Sequence, residues 1–265
     1  MLTAFLLYIV LGAVAGILAG LLGIGGGLVI VPMLVVTFGV QGIQTPYLMQ
    51  VALATSLASI IFTSTSSMLA HHRRGAVLWP VFKAIAPGIL IGAYLGSLLV
   101  SVVPSDGLKA VFVIFVYYAA VQMFRNKKPK PTRHLPGFVG MTGAGGVIGA
   151  FSSLVGIGGG TLCVPFLVWC NVVVHQAIGT AAAVGLPIAL AATLGNITHG
   201  LGVAGRPEYC LGFVYIPALV GIVVMSVFTA PLGAKLAHSL PVGKLKRVFA
   251  CLLVAVATKM LWSLL

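Results

Sequence analysis

Two stretches of the 265-residue chain set bare backbone where side chains would ordinarily stand. Gly23–Pro32 reads GIGGGLVIVP, and Gly156–Pro165 reads GIGGGTLCVP. Three consecutive glycines let a guest come close to main-chain N–H groups. The apolar runs that follow, from Leu28 and from Thr161, would present helix N-termini with partial positive charge. Such a place suits an oxyanion. Gly25, Gly26, Gly27, Gly158, Gly159 and Gly160 are therefore candidate substrate-binding residues, one wall from each copy. Close packing of helices through glycine is the plain alternative. No Lys-Ser/Thr follows either cluster, which excludes a phosphate-binding P-loop. No βαβ context or acidic partner accompanies them, which excludes a dinucleotide fingerprint.

Polar side chains inside apolar runs are the next candidates. One run carries Gln50, Thr55, Ser56, Ser59 and the stretch Thr63–Ser67; a later one carries Thr180, Thr193, Asn196, Thr198 and His199. Thr55, Ser59, Thr63 and Ser66 follow helical spacing, and Thr193, Asn196 and His199 recur three apart. Hydroxyls ordinarily bond their own helix or a neighbour, whereas buried Asn and His cost more and mark function more often. Thr55, Ser56, Thr180, Asn196 and His199 complete the candidate site. The acids number two, Asp106 and Glu208, and both read as loop residues. A proton or sodium carrier built on buried carboxylates is not expected, and a path free of fixed negative charge suits an anion. There is no acidic dyad, HExxH or GxSxG, so no catalytic residue is assigned and no enzyme is expected. The four cysteines make no CxxC or zinc spacing. Neither metal nor cofactor is expected.

These groups need elements to hold them, and the composition says which. The chain is 60% hydrophobic and 6% charged, against roughly a quarter charged in a soluble domain. Its mean hydropathy is +1.18. Apolar runs cover Leu2–Leu22, Tyr47–Ala70, Ala76–Val103, Leu108–Phe124, Phe138–Val155, Ala177–Ile197, Leu211–Leu232 and Arg247–Leu265. Several reach the roughly 20 residues that span a hydrocarbon core as helix. The expected fold is an all-α polytopic membrane protein with the lipid bilayer as its surroundings. The net charge of +13 does not point to nucleic acid, because Arg73–Arg74, Arg125–Arg133 and Lys244–Arg247 sit between apolar runs, as loop charges that set orientation do. Leu2–Leu22 lacks a basic flank and has a later counterpart in Phe138–Val155, so it reads as retained rather than cleaved.

The two glycine clusters anchor an internal repeat. Ala54–Ser56 resembles Gly179–Ala181, Ala93–Gly96 resembles Ala230–Gly233, and Leu108–Phe112 resembles Leu245–Phe249, in the same order. The expected organisation is a first transmembrane repeat over 1–124, a basic cytoplasmic linker over 125–136 and a second repeat over 137–265. Each repeat would hold about four full spanning helices, or four plus a short broken or re-entrant segment. Leu28–Val40, thirteen residues, covers roughly 20 Å, short of a roughly 30 Å core. If it turns back, each repeat has an odd count and the halves are inverted. If it continues forward, they are parallel. Inversion keeps Arg73–Arg74, the linker and Lys244–Arg247 on one side, as the positive-inside tendency asks; it also puts residues 1 and 265 outside. Inversion is the favoured expectation. Duplicated halves of this kind build secondary carriers, with the site at the repeat interface.

The doubled GIGGG…VP, with Ala54–Thr55, Gly179–Thr180 and the HHRRGAV of His71–Val77, resembles the sulfite exporter TauE/SafE family of membrane permeases over nearly the whole chain. The second copy departs at Gly195–Gly202, GNITHGLG, which has no arginine pair. The resemblance implies a carrier in the bacterial or archaeal cytoplasmic (inner) membrane that moves sulfite, sulfonates or related organic anions, usually outward. The expected function is thus alternating-access transport of a small anionic substrate. The alternative is an anion channel through the same pore. The oligomeric state is open, a homodimer being one option.

Overall fold

A computed structural model describes residues 2–22, 26–125, 133–237 and 242–262, and Gly25 lies outside them. Among the described residues ten helices and a small hairpin follow one another: α1 Leu2–Leu22, α2 Gly27–Val40, α3 Leu48–His72, α4 Trp79–Val102, α5 Ser105–Arg125, α6 Phe138–Val155, α7 Gly160–Trp169, α8 Val174–Gly200, β1 Cys210–Leu211, β2 Val214–Tyr215, α9 Ile216–Ala237 and α10 Val242–Trp262. Among the described residues six helices are long and apolar enough to cross a membrane: α3, α4, α5, α6, α8 and the Ile216–Gly233 part of α9. Shorter apolar helical stretches lie in α1, α2, α7 and α10. The run Leu211–Leu232 starts earlier than its helix. Gly212, at φ 58°, turns the chain so that Cys210 pairs with Tyr215 and Leu211 with Val214, and α9 begins only after that hairpin.

Glycine sets which helices touch. A side chain at Gly88, Gly92 or Gly96 of α4 would run into the backbone of Thr142, Gly146 or Ala150 of α6. Each contact lies four residues beyond the last on both helices, so α4 and α6 lie side by side and run the same way. Gly12 and Gly16 of α1 meet Ile222 and Ser226 of α9 in the same manner. Small residues at this spacing bring helix backbones together in lipid, where apolar burial gives no preference for a protein neighbour.

The two shortest helices turn back. The Arg133 N–H reaches the Trp169 carbonyl at 3.4 Å, so α7 ends beside the segment that enters α6. Gln41 Nε2 donates to the Tyr8 hydroxyl at 2.6 Å, so α2 ends beside the beginning of α1. His71 Nε2 lies 3.1 Å from the Gly20 carbonyl oxygen, which puts the end of α1 beside the end of α3. Arg73, Arg74, Arg125 and Arg133 therefore share one end of the bundle, called here the basic end.

Two apolar clusters fill the interior. One draws α4, α6, α7 and α8 together through Ile85, Ile89, Ile148, Leu167 and Ile188. The other gathers α1, α2, α3, α5, α9 and α10 through Tyr8, Leu34, Leu53, Phe112, Ile222 and Leu253. The long helices α3 and α8 pack on each other between them.

Because the α4–α6 contact is backbone on backbone, Gly92→Leu should force these helices apart. Thermal unfolding of the detergent-purified protein should show a Tm lowered by several degrees or loss of the monodisperse species. Gly143→Ala, where nothing lies within 4 Å, should leave the Tm unchanged.

Candidate functional site

Both glycine clusters interrupt the helical path deep in the bundle. Gly26 takes φ 78° and Gly156 takes φ 69°, left-handed conformations that an L side chain resists. A side chain at Gly27 would strike the Gly156 carbonyl, and one at Gly156 would meet Leu53 and Val31. The two breaks therefore lie directly against each other. Their depth follows from the helices they touch. α3 has 25 residues and α8 has 27, lengths of about 37 and 40 Å. Ser56 and Ser64, on either side of the middle of α3, meet Gly156 and the neighbourhood of Gly158; Gly159 sits against Val184 and Ile188, at the middle of α8.

Part of the interrupted backbone is satisfied. Ser56, fully buried, donates its hydroxyl to the Gly156 carbonyl at 2.8 Å. The Ile157 N–H reaches the Ser152 carbonyl at 3.0 Å, and the Gly160 N–H bonds the Gly158 carbonyl. The N–H groups of Val29 and Ile30 reach the Gly26 carbonyl at 3.0 and 3.1 Å. Other donors gather at the start of α7. Among the described residues the N–H groups of Gly158, Gly159 and Thr161 have no partner. The Thr161 hydroxyl, in a residue only 6% exposed, has none either, and nor do the buried hydroxyls of Ser152 and Ser153 in the last turn of α6. Several donors at one helix N-terminus, half-way through the bundle and away from carboxylates, can hold a small oxyanion.

The other residues expected at the site are distributed differently. Thr55 and Thr180 are fully buried and act as acceptors. The Tyr215 N–H, just ahead of α9, reaches Thr55 Oγ1 at 2.9 Å, and the Leu78 N–H, just ahead of α4, reaches Thr180 Oγ1 at 2.9 Å. Each hydroxyl thus satisfies one of the orphan donors that a helix start leaves. Asn196 is fully buried and donates to the Ala192 carbonyl at 2.8 Å, with no partner for its side-chain oxygen among the described residues. His199 stacks near Tyr94, ring centroids 5.5 Å apart. Thr180 and Asn196 are separated by about 24 Å along α8. They flank the glycine break from opposite sides and cannot touch one small anion together.

Thr161, Ser152 and Ser153 escaped the reading of the sequence as site residues, although a signal was there. Aligned on the glycines, the first copy has Leu28, Ala19 and Gly20 at these places. The copies agree in glycine and differ in hydroxyls. Arg206 hydrogen-bonds within its own loop: its Nε donates to the Val203 carbonyl at 2.7 Å and its Nη1 to the Gly212 carbonyl at 2.8 Å. Nearby, burial pushes the Cys210 thiol up to about 11, an effect Arg206 only partly offsets, so it is a neutral thiol at physiological pH. The described residues contain no cluster of three or more His, Cys, Asp or Glu that would hold a metal ion.

Comparison with known proteins places this geometry in a family. The model of the family described as "Sulfite exporter TauE/SafE" matches residues 8–260. A "Probable membrane transporter protein" of Haemophilus influenzae is 38% identical over 262 residues, covering 98% of this chain and 99% of the relative. One from Methanocaldococcus jannaschii is 30% identical over 235 residues, covering 87% and 85%. One from Bacillus subtilis is 33% identical over 186 residues, covering 61% and 66%. No solved structure matches the chain. The chain belongs to the sulfite exporter TauE/SafE family and is a multi-pass membrane transporter.

If Thr55 and Thr180 cap α9 and α4, their replacement by Val strands a buried amide. Thr55→Val and Thr180→Val should each cost about 1–3 kcal/mol of stability, whereas Thr→Ser at either place should cost well under half of that. Thermal and denaturant unfolding in detergent would check both.

Proposed function

We propose that the chain is a secondary carrier for small sulfur-containing anions, sulfite and sulfonates among them, and that it exports them by alternating access. The substrate class follows the name of the family, and the direction follows the same word, exporter. The observation that carries the reading is the group of unpaired donors at the start of α7. The amides of Gly158, Gly159 and Thr161 and the Thr161 hydroxyl stand where both long central helices are at their midpoints. A pyramidal or tetrahedral oxyanion has several acceptor oxygens close together, which matches several donors close together. Gly26 and Gly27 back this loop from the other half, and Ser56 holds the Gly156 carbonyl.

Inverted halves are part of the proposal, and several observations support them. α1 begins at the end opposite the basic one and α6 begins at the basic end; each is followed by a short helix that turns back. α1 pairs with α9 while α6 pairs with α4, and Thr55 caps α9 while Thr180 caps α4. Those are the relations that exchanging two halves by an in-plane two-fold would produce. The moving bodies are then not residues 1–124 against 137–265. The close α4–α6 and α1–α9 contacts tie helices of opposite halves together. The bodies become α1, α2, α3 and α9 on one side and α4, α6, α7 and α8 on the other, sliding along the α3–α8 contact where both glycine breaks lie.

The decisive experiment uses purified protein in liposomes. Sulfite flux should saturate, and unlabelled sulfite on the far side should accelerate entry of labelled sulfite. Flux that grows linearly with gradient and shows no such counterflow would assign the pore to the channel alternative. Within the carrier, Thr161→Val should weaken sulfite binding roughly tenfold, about 1.4 kcal/mol, as read by thermal shift or calorimetry. Leu28→Val, at the corresponding position of α2, should leave affinity unchanged.

A further inference from the structure

Away from the central site, α5, α6 and α7 enclose an outward-facing cavity of about 850 Å³. Its walls include Ile114 and Tyr118 of α5, Val147 and Phe151 of α6, and Leu162 and Phe166 of α7. Ile114, Tyr118, Val147 and Phe151 are exposed, so the cavity is a groove open to the surroundings of the bundle. In a bilayer those surroundings are hydrocarbon.

The rim of the groove differs from its walls. On α7, Leu162, Phe166 and Trp169 are spaced four and three residues apart and so share a face. Trp169 thus continues the wall toward the basic end. The Arg133 guanidinium lies over the Trp169 ring, 4.6 Å from its centroid, and the Arg133 N–H reaches the Trp169 carbonyl. On α5, Tyr118 leads in the same way to Arg125 two turns on. Arg125 and Arg133 are both exposed. One apolar groove therefore ends at two cations and an interfacial tryptophan, the arrangement that receives an apolar tail with an anionic head.

We infer that this groove is a binding site for an anionic phospholipid, its acyl chain along α5, α6 and α7 and its phosphate at Arg125 and Arg133. Charge complementarity selects this occupant over a second copy of the chain. The whole sequence holds 15 Lys and Arg against two acids, so another copy brings almost nothing with which to pair the two arginines. A zwitterionic lipid would fill the groove but meet the rim with no net negative charge.

Native mass spectrometry of the full-length protein, purified in mild detergent and offered equal dioleoylphosphatidylglycerol and dioleoylphosphatidylcholine, tests the assignment. Wild-type protein should retain phosphatidylglycerol at least fivefold over phosphatidylcholine. Arg133→Gln should reduce that preference to below twofold. Val147→Trp, which puts bulk into the groove from an exposed position, should lower retention of both lipids while the thermal unfolding temperature stays within a few degrees. Equal retention of the two lipids by wild type, or a preference untouched by Arg133→Gln, would overturn the assignment. So would a dimer in the wild-type spectrum that Val147→Trp converts to monomer, since the occupant would then be a second copy.

Discussion

A backbone N–H or C=O in hydrocarbon has no water to turn to, and leaving it unpaired costs several kcal/mol. Continuous helix is the ordinary remedy. This chain interrupts its helices twice at mid-depth, at the two glycine clusters, and it also starts α4 and α9 next to buried helices. Each interruption creates donors and acceptors that something else has to meet. The Thr180 hydroxyl meets the start of α4, the Thr55 hydroxyl meets the approach to α9, and Ser56 takes the carbonyl of Gly156. Among the described residues, a group of donors without a partner stands at the α6–α7 turn with the hydroxyls beside it. These donors are clustered at one short helix start, which is why they read as a place for a guest rather than as general looseness.

The same constraint shapes the packing. Short helices α2 and α7 can begin inside the bundle because their first turns lie against other backbone and not against lipid. That demands neighbours with no side chain at the contact, and the chain provides them at Gly27 against Gly156 and along the α4–α6 and α1–α9 seams. Those seams join helices from the first and second stretches of sequence. Two apolar clusters follow the seams and not the order of the chain, one around α4, α6, α7 and α8 and the other around α1, α2, α3 and α9 with the peripheral α5 and α10. Sequence order and packing group are therefore different partitions of this molecule.

The helices were legible in the sequence because apolar length is a one-dimensional property. Phe138–Val155 was delimited to the residue, and Leu28–Val40 to within one residue at its start. The hairpin ahead of α9 was not, since Leu211–Tyr215 is as apolar as the helix it precedes and only Gly212 distinguishes it. At the site, residue type revealed polarity but not partnership. That Thr55 and Thr180 also accept N–H groups from 160 and 102 residues away in the chain cannot be read from the sequence. Thr161 was hidden for the opposite reason. A single threonine at the start of a helix is unremarkable until the helix proves short, buried and unpaired at that end. Contacts between distant segments decide both cases, and spacing along the chain cannot encode them.

The proposed anion site would also account for a feature of the charge distribution. The chain is strongly basic, yet no Lys or Arg occurs from Leu48 to His72 or from Phe138 to Gly205. These segments include α3, α6, α7 and α8, the helices around the glycine breaks. An anion held there is met by amide and hydroxyl dipoles instead of a fixed cation. A buried cation would have two consequences for a carrier. Once the anion left, it would stand unpaired in a low-dielectric interior, at a cost of several kcal/mol. Its attraction for the anion would also be strong enough at that dielectric to oppose release. Neutral donors avoid both, because the empty site carries no net charge and the loaded site is bound by interactions of hydrogen-bond size. On the proposed reading, the arginines at the basic end would act at a distance, drawing anions toward the bundle, while the dipoles at its centre would let them go.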